Sequence, residues 1–313
     1  MGPGVIKTSF AGLPPLSSWM LPFTTPPMLP LDWRNTVLDR WFYNIGALST
    51  DEQRAVLGFP PSEGAALLVA PAIAGRAIEY VPRRGFARLK GADFAGVTVA
   101  GVGSSALGTA ALARQLADAL GQPVLGVISG RGMADLVSDA LGGWFVFRTE
   151  NMVGEVFDIW RRMGASLPSF RGADRAGGDA LEGYYGGGPD SNALQTLLAQ
   201  FPDKVRFLVG HSKGNLVIAN ALRGLLLKRP AEAARLSELE ILTLGAAIGF
   251  PSGFDKLFQV VGGADAFGAM NSDAPANHVV PGALHHLNAE IPCCLPLAEA
   301  LAAVPEDWSL HRG

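Results

Sequence analysis

From about residue 96 the chain alternates between short, unbroken apolar runs and longer stretches whose apolar residues recur every three or four positions. GVTVAGVG is β-branched and ends in glycines, as a strand buried on both faces does. SSALGTAALARQLADALG follows with helical spacing, a serine to cap its start and a glycine at its stop. QPVLGVIS then reads as a second strand. A strand–helix–strand unit of this kind is parallel, and its helix has to pack on the sheet, so both faces are predicted to be covered. Further on, SNALQTLLAQF predicts a helix, KVRFLVG a strand and GNLVIANALRGLLL a helix. ELEILTLGAA and KLFQVVGG are predicted as the last strands. The predicted fold class is therefore α/β, a mostly parallel sheet flanked by helices.

One long stretch interrupts this order. Residues 130–190 combine helical pieces, MADLVSDALGGWF and MVGEVFDIWRRM, with the loop GGDALEGYYGGGPD, whose glycines imply mobility or tight turns. Residues 96–129 and 191–313 then form the core, with 130–190 as an insertion. Residues 1–95 supply an N-terminal arm and the first part of the same domain. The Pro-rich part of that arm, about 10–30, carries Trp19, Met20, Phe23 and Met28 and is predicted to be irregular, because proline interrupts both helix and strand.

Composition narrows the class. Hydrophobic residues are 49% and charged ones 17%, so the chain is globular rather than disordered. The 25 basic and 28 acidic side chains nearly cancel, which gives no net-charge argument for nucleic acid or an anionic membrane surface. No apolar run reaches the roughly 18 residues of a membrane span. MGPGVIKTSFAGLPPL has a single Lys and early prolines where a signal peptide has a continuous apolar segment, so no secretory signal is read. Cys293 and Cys294 are adjacent, a poor arrangement for bridging, which argues against a disulfide-stapled fold. A cytoplasmic protein is the expectation.

The sharpest chemical feature is Gly210-His211-Ser212-Lys213-Gly214, a G-x-S-x-G segment with an apolar strand before it and an apolar helix after it. A serine at such a turn needs a strained backbone to lift its hydroxyl clear of the sheet. The glycines avoid collisions with neighbouring strand and helix. The turn also sets Ser212 at a helix N-terminus, where the backbone N–H of Lys213 can meet a developing oxyanion. The side chain of His211 is expected to point away from Ser212, as a supporting residue.

The strand, Gly210–Gly214 and the following helix resemble the α/β-hydrolase superfamily, particularly its lipases and esterases, over about residues 96–290. The family usually carries a small residue, Leu, Met or Gln where this chain has Lys213. The resemblance implies an α/β-hydrolase core in which 130–190 is a cap or lid, and a serine–acid–histidine order along the chain. In HVVPGALHHLN, the Pro281–Leu284 turn favours His285 as the base, with His286 the competitor. Asp265, just beyond KLFQVVGG, is the favoured acid; Asp273 and Asp255 are its rivals. A second oxyanion donor is expected from the backbone of Val102, Gly103 or Ser104. The implied activity is hydrolysis of a carboxylic ester through an acyl-enzyme, with a small-molecule or lipid-like substrate. Trp144, Phe145, Phe147, Phe157 and Trp160 serve as lid core or acyl-pocket lining.

Acyl transfer and thioester hydrolysis share these residues, since each proceeds through an acyl-enzyme. AGVGSSALG also loosely imitates a dinucleotide loop, through Gly101-x-Gly103 and Gly108, but its third glycine is misplaced and no acidic residue ends a following strand at the usual interval. No His or Asp spacing forms a metal-ligand set, and no cofactor is implied.

Overall fold

Apolar runs of three to six residues become the strands. In a computed structural model, which describes residues 38–60, 62–75, 77–101, 104–129 and 188–311, they join one sheet. Among the described residues it has eight strands: β1 Ala66–Val69, β2 Ile78–Val81, β3 Gly96–Val99, β4 Val124–Val127, β5 Phe207–His211, β6 Glu240–Leu244, β7 Leu257–Gly262 and β8 His278–Val280. Their spatial order is β2-β1-β4-β3-β5-β6-β7-β8. β1 runs antiparallel to β2 and β4, and every other neighbouring pair is parallel. The fold is therefore α/β, with a mostly parallel sheet flanked by helices.

The α-helices that lie wholly within the described residues are α1 Thr50–Leu57, α2 Ala106–Leu120, α3 Pro189–Gln200, α4 Lys213–Lys228, α5 Pro230–Ala234, α6 Ala266–Met270 and α7 Leu297–Ala303. Each residue of β3, β4, β5 and β6 is buried, as covering on both faces requires. Alternation along β5 shows how. Phe207 and Val209 pack in one layer with Leu112 and Leu116 of α2, while Leu208 points into the other with Leu222 and Leu225 of α4. The hydroxyl of Ser105 caps α2 through the N–H of Leu107, and Gly121 ends it in the left-handed conformation at φ 65°. Arg114, buried on α2, pairs with Glu52 of α1 and fastens those helices together.

The β3–α2–β4 unit, α3, α4 and strands β5 to β7 lie where the periodicity predicts them. α3 begins two residues earlier than predicted, with Pro189 in its first turn, where a missing N–H costs nothing. β7 is not the last strand. His278–Val280, read from the sequence as part of a loop, extends the sheet as β8. Residues 38–95 contain α1, β1 and β2. The 10–30 arm, the two helical pieces within 130–190 and the insertion's five named aromatics lie outside the described residues, as does the glycine-rich loop up to residue 187. No helix among the described residues is long and apolar enough to cross a membrane.

This strand order positions the site. From β3 the chain crosses to β4 on one side, and the later β5 returns to pair with β3 on the other. The connections leaving the carboxyl ends of β3 and β5 thus run to opposite sides of the sheet, the switch point at which open α/β sheets usually hold their ligand.

Candidate active site

β5 ends at His211 and α4 begins at Lys213, so Ser212 alone makes the strand-to-helix turn. It does so at φ 54° and ψ −122°, outside the regions L side chains normally occupy. The turn is over-determined by its surroundings. The N–H of Ser212 donates to the Leu244 carbonyl at 2.9 Å. A Cβ on Gly214 would strike the carbonyl of Val99 on β3, and one on Gly210 would strike the Asn215 side chain. Only glycine therefore lets α4 leave so close to the sheet.

His285, on the loop after β8, and Asp265, on the loop after β7, complete a line with this serine. His285 Nε2 lies 2.8 Å from Ser212 Oγ, and His285 Nδ1 lies 2.6 Å from Asp265 Oδ2. A carboxylate facing Nδ1 places the ring proton there, which leaves the Nε2 lone pair to accept the Ser212 hydroxyl proton. Asp265 caps α6 and accepts the Gly268 N–H on its other oxygen at 2.7 Å, so both oxygens are oriented. The Asp265 side chain is 2% exposed and that of His285 11%. The rings of Phe42 and Phe267 stand edge-on to the imidazole, with centroids 6.1 and 4.7 Å away.

The other candidates lie elsewhere. His286 turns away, its Nε2 donating to the Pro292 carbonyl at 3.2 Å. Asp273 accepts the Gly249 N–H at 3.1 Å. Asp255 is exposed ahead of β7. His211 is buried, and its ring reaches Tyr43 Oη at 2.9 Å and the His285 carbonyl at 2.8 Å. Burial, with the neighbouring His285 next in weight, pushes its pKa down to about 3.

The loop after β3 passes directly beside the serine. A Cβ on Gly101 would sit 3.1 Å from Ser212 Cβ, so a side chain there would crowd Ser212. The N–H of Gly101 donates to Tyr43 Oη at 2.6 Å, and the N–H of Ser104 turns back to the Gly101 carbonyl at 3.3 Å. The Ser104 amide is thus committed within its own turn. Val102 and Gly103, the other expected donors, lie outside the described residues. Lys213 is the first residue of α4.

Asp39 and Tyr43 were not signalled by the sequence, because no motif surrounds them and they act across more than fifty residues. The buried Asp39 carboxylate accepts the N–H and hydroxyl of Ser105 at the start of α2. Burial pushes its pKa up to about 6, against the opposing pull of hydrogen bonds led by the Ser105 hydroxyl. A Cβ on Gly108 would strike this carboxylate. The α2 N-terminus, the one place where the glycines could offer a helix start to a phosphate, is therefore filled by the protein's own anion.

Among the described residues no three His, Cys, Asp or Glu side chains converge as a metal would require. What the arrangement offers chemically is an oriented hydroxyl, an acceptor for its proton and a carboxylate behind that acceptor. The chain matches no family model, no curated protein and no solved structure.

Proposed function

We propose that this chain is a serine hydrolase of the α/β-hydrolase type that cleaves carboxylic esters through an acyl-enzyme. The observation that carries the reading is the line Ser212 Oγ–His285 Nε2 and His285 Nδ1–Asp265, with the serine on a strained strand-to-helix turn. His285 takes the hydroxyl proton as Ser212 attacks the acyl carbon. The tetrahedral oxyanion is met by the Lys213 N–H and a second amide from the loop after β3. His285 then protonates the departing alcohol and activates the water that releases the acid. Asp265 fixes the imidazole tautomer and stabilises the imidazolium.

Phe42 and Phe267 beside His285 favour an apolar group at the scissile bond. The role of 130–190 as a cap rests on the resemblance and on its place between β4 and α3. The Asp39 carboxylate at the α2 N-terminus counts against the dinucleotide reading, since a pyrophosphate there would meet a like charge.

The test is turnover of p-nitrophenyl esters of short and long acyl chains by the wild type and by Ser212→Ala. Ester cleavage by the wild type and its loss in a folded Ser212→Ala protein are expected; activity retained in that variant overturns the assignment. Running thioesters, and esters with added alcohol, separates thioesterase and acyl-transfer chemistry on the same serine.

A further inference from the structure

Three hydrogen bonds run across the site in a single direction. The Gly101 N–H can only donate, so Tyr43 Oη accepts from it at 2.6 Å and keeps its own proton for His211 Nδ1, 2.9 Å away. With Nδ1 accepting, the ring proton of His211 lies on Nε2 and is donated to the His285 carbonyl at 2.8 Å. A protonated His211 would turn a second donor towards the tyrosine hydroxyl. Burial and the neighbouring His285 and His286 keep it neutral. A fourth bond runs the other way, the Leu287 N–H donating to the Phe42 carbonyl at 2.7 Å. Arg40 and Asp39 add to it, the Arg40 carbonyl holding Asn288 Nδ2 at 2.8 Å and the Asp39 carboxylate holding Ser105. Residues 39–43 therefore touch both the loop after β3 and the loop that carries His285, and nothing in the hydrolytic chemistry itself calls for them.

We propose that Tyr43 and His211 are positioning residues: their hydrogen-bond chain from Gly101 to the His285 carbonyl holds the oxyanion loop and the base loop in register about Ser212. This rests on the hydrolase reading. A chain of this kind acts on placement rather than on charge, and small misplacements of reacting groups lower turnover steeply.

The test uses the full chain with Tyr43→Phe, which keeps the ring, with His211→Phe, and with the double variant. Each single variant is expected to lower ester kcat about tenfold, the scale of one lost hydrogen bond, with KM within about twofold and the acid limb of the pH profile unmoved. Because the links are in series, the double variant should lose no more than the weaker single variant. Wild-type rates in Tyr43→Phe, a displaced acid limb, or losses that multiply in the double variant each overturn the proposal. If His211→Phe does not fold, Tyr43→Phe and the wild-type tautomer still decide it. Nitrogen NMR of labelled histidine should find His211 neutral with its proton on Nε2 between about pH 5 and 8; a proton on Nδ1, or titration in that range, overturns the chain without reference to activity. A wild type that neither turns over esters nor reacts with a serine-directed phosphonate sinks the hydrolase reading instead, and the NMR result tells the two failures apart.

Discussion

Replacing Ser212 by alanine and, separately, by glycine removes the hydroxyl in both cases and leaves the backbone as the main difference between the two proteins. At φ 54° and ψ −122° a residue with a Cβ carries strain of about 1–3 kcal/mol, which glycine does not. Against this, glycine adds unfolded-chain entropy of about 0.4–1 kcal/mol and forgoes up to about 0.8 kcal/mol of methyl burial. Central values leave glycine ahead by about 0.5 kcal/mol. At an ordinary helix position the same exchange runs the other way by about 1 kcal/mol, so the two outcomes differ in sign. Urea unfolding of both variants, compared at equal m, reads the difference directly. Ser212→Gly at least as stable as Ser212→Ala is expected. A glycine variant weaker by about 1 kcal/mol would mean that the turn stores no strain, and the local case for a presented nucleophile would fall with it.

Two further perturbations address the groups behind the serine. Asp265→Asn keeps the shape but replaces the carboxylate that faces His285 Nδ1, and kcat on a p-nitrophenyl ester should fall by about 10³–10⁴, as expected when the imidazole loses its tautomer; a loss below about tenfold would remove Asp265 from the proposed machinery. Asp39 gives a pH signature. Its pKa is raised by burial from 3.8 to about 6, so the folded chain keeps a proton that the unfolded chain gives up, and stability falls as pH rises through that window. The rise corresponds to about 3 kcal/mol, which Asp39→Asn abolishes. The variant should therefore gain up to about that much on the wild type between about pH 3.5 and pH 7 in urea unfolding, and a difference that stays flat with pH contradicts the buried-acid account.

How far the molecule was legible in its sequence depends on the range over which each feature is determined. β5, Ser212 and α4 are specified locally, by an apolar run, two glycines that steric crowding demands and a helical repeat, and they were read directly. β8 has only three residues, too few for alternation to show, and its role comes from pairing with β7. β1 and β2 are four residues each and were hidden in the same way. The Pro281–Leu284 turn favoured His285 but left the adjacent His286 as a competitor, because only the loop's path sends one ring to Ser212 and the other to Pro292. Asp265 was reachable because an apolar strand delivers it, whereas Tyr43 and Asp39 meet the β3 loop from 58 and 66 residues away. The commitment of the Ser104 amide to its own turn is likewise visible only in three dimensions.

The measurement that bears most directly on the central claim is reaction of the whole protein with a fluorophosphonate, followed by mass spectrometry of the intact chain and of its peptides. One adduct per chain is expected, on the peptide containing Ser212, with no adduct in Ser212→Ala and much slower labelling in Asp265→Asn. No adduct on the folded wild type, with and without detergent, or an adduct on another residue, would contradict the assignment of Ser212 as the nucleophile.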